Sequence, residues 1–127
     1  MNRNLLATVI LLILDFTWIS LFMGKQYKSL VKKVQKSEMQ GRLQYALLSY
    51  ILMVLGLNIF VLPNISKENA LLDSIKYGFI FGIILYGVYD FTAAAVLDNW
   101  DIQLAIVDIL WGGFVFFISS YISTIAS

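Results

Sequence analysis

Three aspartates lie within long apolar stretches of this 127-residue chain: Asp15, Asp90 and Asp108. A charge in an apolar, bilayer-like environment costs at least ~2.5 kcal/mol on insertion scales, so such residues face a helix-bundle interior rather than lipid. We therefore expect the three carboxylates to meet one another or a positively charged guest inside the protein.

Each aspartate has possible hydrogen-bonding neighbours. Trp18 follows Asp15 by three residues and Trp111 follows Asp108 by three, so each pair lies one helical turn apart. An indole N–H can donate to a carboxylate or to a backbone carbonyl. The other candidate donors for this cluster are Tyr86, Tyr89, Thr17, Thr92 and Gln103.

Cations are scarce at matching depth. The nearest is Arg42, at the expected start of the second apolar stretch, from where its side chain can extend toward one aspartate. Carboxylates still outnumber cations, so either some are protonated or a cation binds. Both options fit a proton or cation pathway, and both fit a polar pocket for a cationic or hydrogen-bonding ligand. The alternative is that the aspartates only lock helices together.

Composition narrows the class of protein. Hydrophobic residues make up 60% of the chain and charged residues 13%, against about 25% charged in soluble domains. The chain contains no Cys and no His, which removes disulfides, thiolate chemistry, the usual zinc ligands and imidazole catalysis. We expect no resident cofactor beyond a proton or bound cation. A net charge of +1 indicates no nucleic-acid partner.

Four apolar stretches have the length of about 20 residues that spans a bilayer as a helix. They run over residues 4–24, 43–62, 74–97 and 102–124. The first could instead be a cleaved signal peptide, but it contains Asp15 and lacks an Ala-x-Ala site. We predict an all-α membrane protein, a single antiparallel bundle of four transmembrane helices.

The connector over residues 25–42 is basic and amphipathic. Its apolar residues Tyr27, Leu30, Val31 and Val34 share one helical face. We expect a helix in the membrane interface that contacts anionic lipid headgroups; the alternative is a solvated connector. The candidate headgroup contacts are Lys25, Lys28, Lys32, Lys33 and Lys36.

The same lysines predict orientation. Positively charged loops remain cytoplasmic, so the connector lies inside and both termini lie outside. The turn over residues 98–101 is then cytoplasmic. With these spans, the three aspartates lie roughly 9–14 Å below the cytoplasmic interface.

Four short sequence segments resemble a known family. The segments are Leu14-Asp15-Phe16-Thr17-Trp18, Tyr89-Asp90-Phe91-Thr92, Asn99-Trp100 and Val107-Asp108-Ile109-Leu110-Trp111-Gly112. They are similar to the motifs of the small membrane proteins grouped as domain of unknown function 2177. The resemblance extends over essentially the whole chain. Ala93 and Asp101 depart from the pattern, where Asn and Pro are common. The resemblance implies the four-helix architecture and the importance of the motif positions, without an assigned reaction.

Three functions remain open. The first is a proton- or cation-linked transporter or ion-conducting protein, for which dimerisation is plausible because four helices are few. The second is an adaptor or assembly protein whose aspartates only lock the helices. A lipid-modifying enzyme ranks third, because the bundle lacks the usual electrophilic helpers.

Overall fold

A computed structural model of the chain describes residues 2–23, 25, 26, 28, 29, 32 and 43–127. Within these residues every regular element is helical, and four helices are long and apolar enough to cross a membrane. The prediction of an all-helical protein with four candidate spans is confirmed.

The first two spans are helices that change pitch toward their ends. Helix α1 is α-helical over Arg3–Trp18 and continues as a π-helical turn over Ile19–Met23. The side chain of Asn2 caps its start by accepting a hydrogen bond from the Leu5 N–H at 2.8 Å.

Helix α2 is α-helical over Leu43–Gly56 and π-helical over Leu57–Val61, and it ends in a 3₁₀ turn over Leu62–Asn64. Pro63 lies in that last turn, where the lack of a backbone N–H is tolerated.

Helix α3 joins Ala70–Asp73, a π-helical segment over Ser74–Phe79, and Ile80–Val96. It therefore begins four residues before the predicted span. Helix α4 covers Ile102–Ile125 and is capped by the Asp101 side chain, which accepts from the Leu104 N–H at 3.2 Å. In the turn between α3 and α4, Asn99 adopts the left-handed conformation, with φ at 63°, which Asn tolerates better than most residues.

The apolar core joins α1, α2 and α4. Leu11, Leu57, Val115 and Phe116 are fully buried there. The burial of these side chains holds the three helices together. The set joins residues that lie more than 100 positions apart in the sequence, Leu11 and Phe116.

Helices α3 and α4 pack backbone to backbone through glycines. A Cβ atom added at Gly82 would overlap the backbone carbonyl of Gly112, and one added at Gly78 would come 2.9 Å from the Ser120 hydroxyl. Only residues without side chains permit this approach. The two contacts set which levels of α3 and α4 face one another.

Both chain termini contact the loop between α2 and α3. The Arg3 guanidinium donates to the carbonyls of Leu62 at 2.8 Å and Ile65 at 2.7 Å. Lys67 donates to the backbone carbonyl of Ser127. We call this part of the molecule the terminal end, and the part containing residues 97–101 the turn end.

Candidate functional site

The Asp15 carboxylate lies where three helices meet. It is 4% exposed. Its Oδ1 atom accepts hydrogen bonds from the Tyr86 hydroxyl on α3, at 2.7 Å, and from the Trp111 indole Nε1–H on α4, at 3.2 Å. The helical spacing predicts a hydrogen bond from Trp111 to Asp108 in the same helix. Instead the indole donates to an acceptor 96 positions away along the chain.

A second phenol approaches Asp15 from the remaining helix. Tyr50 on α2 lies within electrostatic range of this carboxylate, and Tyr50 and Tyr86 lie within range of each other. All four helices therefore contribute a side chain to one layer of the bundle: Asp15, Tyr50, Tyr86 and Trp111.

The other two aspartates lie about one turn closer to the turn end. Asp90 is fully buried and Asp108 is 7% exposed. Tyr89 lies within electrostatic range of both, and Tyr86 lies within range of Asp108. The two tyrosines, three residues apart on α3, link the layers. Carboxyls and phenols therefore alternate from Asp15 through Tyr86, Asp108 and Tyr89 to Asp90.

Stacked indoles border the Asp15 layer. The Trp18 and Trp111 rings lie 4.5 Å apart between centroids at an interplanar angle of 7°. Trp18 also packs against Phe22, at 4.7 Å. The Trp18 Nε1 atom is buried and has no hydrogen-bond partner among the described residues. Trp18 thus orients Trp111 by stacking, and the expected indole bond to Asp15 comes from Trp111.

A glycine makes room for the Tyr86 phenol. A Cβ atom at Gly112 would overlap the ring of Tyr86. The ring therefore lies flat on the bare backbone of α4, and its hydroxyl extends past that helix to Asp15.

The two threonines predicted to join the cluster do not do so. Thr17 and Thr92 are both exposed, and Thr92 lines a groove on the outer surface of α3. Each follows an aspartate by two residues, which rotates a helical side chain by roughly 200°. The burial of Asp15 and Asp90 therefore turns these threonines outward, and the expectation of bonds to the carboxylates is corrected.

The predicted basic residues are only partly described. Lys25, Lys28 and Lys32 are helical and exposed. Lys33, Lys36, Arg42 and the apolar connector residues Tyr27, Leu30, Val31 and Val34 lie outside the described residues.

Several polar groups within the helices were not predicted from the sequence. Asn58 of α2 accepts from the Asn4 side chain at 2.9 Å and donates to the Thr8 hydroxyl at 3.0 Å. Tyr50 was missed because one tyrosine in an apolar run carries little signal. Asn58 offered a signal, since an amide in such a run needs a partner. The close spacing of four hydroxyl residues on α4 was a second sequence signal. These residues, which are buried, are Ser119, Ser120, Ser123 and Thr124.

The site consists of carboxyl groups surrounded by neutral hydrogen-bond donors, namely phenols and indoles. No group of three or more carboxylates among the described residues is arranged to hold a metal ion. The groove on α3, about 590 Å³ in volume, is lined by residues that include Gly87, Val88 and Phe91, and by none of the three aspartates. A phenol hydroxyl can both donate and accept a hydrogen bond, so the alternating carboxyls and phenols have the donors and acceptors to bond to one another.

A family model described as a predicted membrane protein (DUF2177) matches residues 2–125. No curated protein and no solved structure matches the chain.

Proposed function

The chain belongs to the domain of unknown function 2177 family of membrane proteins, and we propose that this membrane protein is a proton- or cation-linked transporter or ion-conducting protein. The species it moves would exchange at Asp15, Asp90 and Asp108. Four helices would cross the membrane as an antiparallel bundle.

The observation that carries this proposal is the environment of Asp15. Both hydrogen bonds to its Oδ1 atom come from neutral groups, the Tyr86 hydroxyl and the Trp111 indole. No Lys or Arg in the described part of the chain forms an ion pair with it. A nearly buried carboxyl that is bonded to neutral donors and has no cationic side chain paired with it is typical of proton relays and ion pathways in membrane proteins.

The proposed topology places the terminal end outside and the basic connector in the cytoplasm. Arg3 against Leu62 and Lys67 against Ser127 bring both termini to one end of the bundle. The chain has no Cys, so labelling of a single Cys introduced at Ser127 or at Lys32 shows on which side of the membrane that position lies. An impermeant maleimide added to intact cells would label the first variant and spare the second.

The decisive experiment measures flux in vesicles. The purified protein is reconstituted in liposomes, a potassium diffusion potential is imposed, and internal pH or internal Na⁺ is followed with a trapped dye. We expect flux above that of empty vesicles, and its loss in Asp15→Asn, because Asn keeps the hydrogen-bond acceptor but neither ionises nor exchanges a proton.

The matched control is Asp98→Asn, which removes an exposed carboxylate from the turn end and should leave flux unchanged. Wild-type vesicles no faster than empty ones, or full flux in Asp15→Asn, would contradict the proposal.

The second candidate is an adaptor whose aspartates lock the helices. The same contacts favour it, because Asp15 connects α1 to both α3 and α4. It predicts that Asp15→Asn preserves both stability and cellular role. Retained stability with lost flux separates the two functions.

Two partners belong to the leading proposal. Anionic headgroups on the cytoplasmic side would bind the connector through Lys25, Lys28, Lys32, Lys33 and Lys36, and Arg42 would pair with one aspartate. A second copy of the chain would complete a dimer. Lipid turnover in the same vesicles would instead favour the lipid-modifying enzyme.

A further inference from the structure

A second buried polar cluster lies toward the terminal end, apart from the aspartates. We propose that it binds ordered water, held between Ser74 of α3 and Thr124 of α4. This hydroxyl cluster consists of five side chains that are each at most 1% exposed: Ser74, Ser119, Ser120, Ser123 and Thr124.

The two side chains proposed to hold the water are those whose hydroxyls lack a hydrogen-bond partner among the described residues. Ser119 donates to the Val115 carbonyl at 2.6 Å, and Ser123 donates to the Ser120 carbonyl at 3.1 Å. The hydroxyl oxygens of Ser74 and Thr124 are buried and have no partner among the described residues. Internal waters typically bond to buried polar groups that lack a protein partner.

The packing of α3 on α4 brings these two hydroxyls to facing surfaces. Gly78 lies opposite Ser120, since a Cβ at the glycine would come 2.9 Å from the serine oxygen. Ser74 lies one turn before Gly78, and Thr124 lies one turn after Ser120. Continuing the same register therefore sets Ser74 against Thr124.

The chemistry of the cluster favours water over an ion. None of its five side chains is charged. The nearest acid in sequence, Asp73, accepts from both the backbone N–H and the hydroxyl of Ser66, each at 3.0 Å. A cation here would lack a neutralising charge, whereas water both donates to and accepts from hydroxyls.

The cluster continues the polar face of α4 beyond an apolar barrier. Asp108, Gly112, Phe116 and Ser120 recur every four residues, and Phe116 is fully buried between the two polar regions. In a proton pathway the water would form the half toward the terminal end, with Phe116 as the barrier. That role rests on the proposed function, but the water site does not.

A double-mutant cycle combined with water-to-amide magnetisation transfer tests the site. Ser74→Ala, Thr124→Val and the double variant are unfolded in detergent micelles. A shared water predicts that the double variant departs from the product of the single effects on the unfolding equilibrium constant by at least about twofold. In the ¹⁵N-labelled wild type, transfer from water should reach the amides around both residues.

The control pairs Ser74→Ala with Ser119→Ala, whose hydroxyl is already bonded to its own helix, and should give multiplicative effects. Multiplicative effects for Ser74 with Thr124 overturn the proposal, as does absence of water transfer in the wild type. Vesicle flux is measured separately. Coupling and transfer in a protein without flux would retain the water site and remove the proposed function.

Discussion

The hydroxyl of Tyr86 donates to Oδ1 of Asp15 across 2.7 Å, and this bond joins α3 to α1 inside the bundle. Trp111 donates to the same oxygen from α4. One carboxylate oxygen therefore links three helices. The contribution of each of its two hydrogen bonds to the free energy of unfolding can be measured by removing one donor at a time.

Tyr86→Phe removes one donor and keeps the ring that packs on Gly112. We expect the free energy of unfolding in detergent micelles to fall by about 0.5–1.5 kcal/mol, the net value of one hydrogen bond. The matched control is Tyr121→Phe, which preserves the ring stacked on Phe117 and should change stability little. Equal losses in the two variants would show that the Tyr86 hydroxyl contributes nothing specific.

Gly82→Ala should destabilise the bundle by about 1–3 kcal/mol, because its methyl group overlaps the Gly112 carbonyl and the helices must separate. Gly87 supplies the control on the same helix, since a Cβ there meets nothing within 4 Å. Gly87→Ala should be neutral or stabilise by about 0.5–1 kcal/mol through helix propensity. The measurement is denaturation of both variants in one detergent. The reverse order would refute the backbone contact.

Trp111→Phe should abolish the exciton-coupled band that stacked indoles give in the far-ultraviolet circular dichroism spectrum. Two indoles 4.5 Å apart and nearly parallel couple strongly, whereas one indole beside a phenylalanine does not. Trp18→Phe should have the same effect. Trp100→Phe should retain the band, because Trp100 packs edge-on against Tyr89, with ring centroids 6.3 Å apart. A band that survives either of the first two substitutions would rule out the stack.

Arg3→Met should lower the free energy of unfolding by about 1.5–3 kcal/mol, the range for hydrogen bonds to charged groups. The guanidinium satisfies the carbonyls of Leu62 and Ile65 where α2 ends, and methionine preserves only the length of the side chain. Lys67→Met is the control, because Lys67 is exposed and, within the part of the chain that the structure describes, binds only the carbonyl of the exposed Ser127. An effect of Arg3→Met no larger than that of the control would contradict the capping role.

The prediction of four apolar helices followed from the sequence because hydrocarbon offers the backbone no hydrogen-bond partners, so each apolar run of spanning length must satisfy its own as a helix. The burial of Asp15, Asp90 and Asp108 followed from the cost of exposing a carboxyl to an apolar environment. Neither inference required knowing how one helix packs on another.

Partners across the bundle depended on tertiary structure. Trp111 bonds to Asp15 rather than to Asp108 because the rotation and height of α4 are set by its close packing on α3 through Gly82 and Gly112. Thr17 turned outward for the related reason that burying Asp15 determines the rotation of α1. Helix existence is a local property of composition, whereas the facing of side chains depends on contacts between segments distant in sequence.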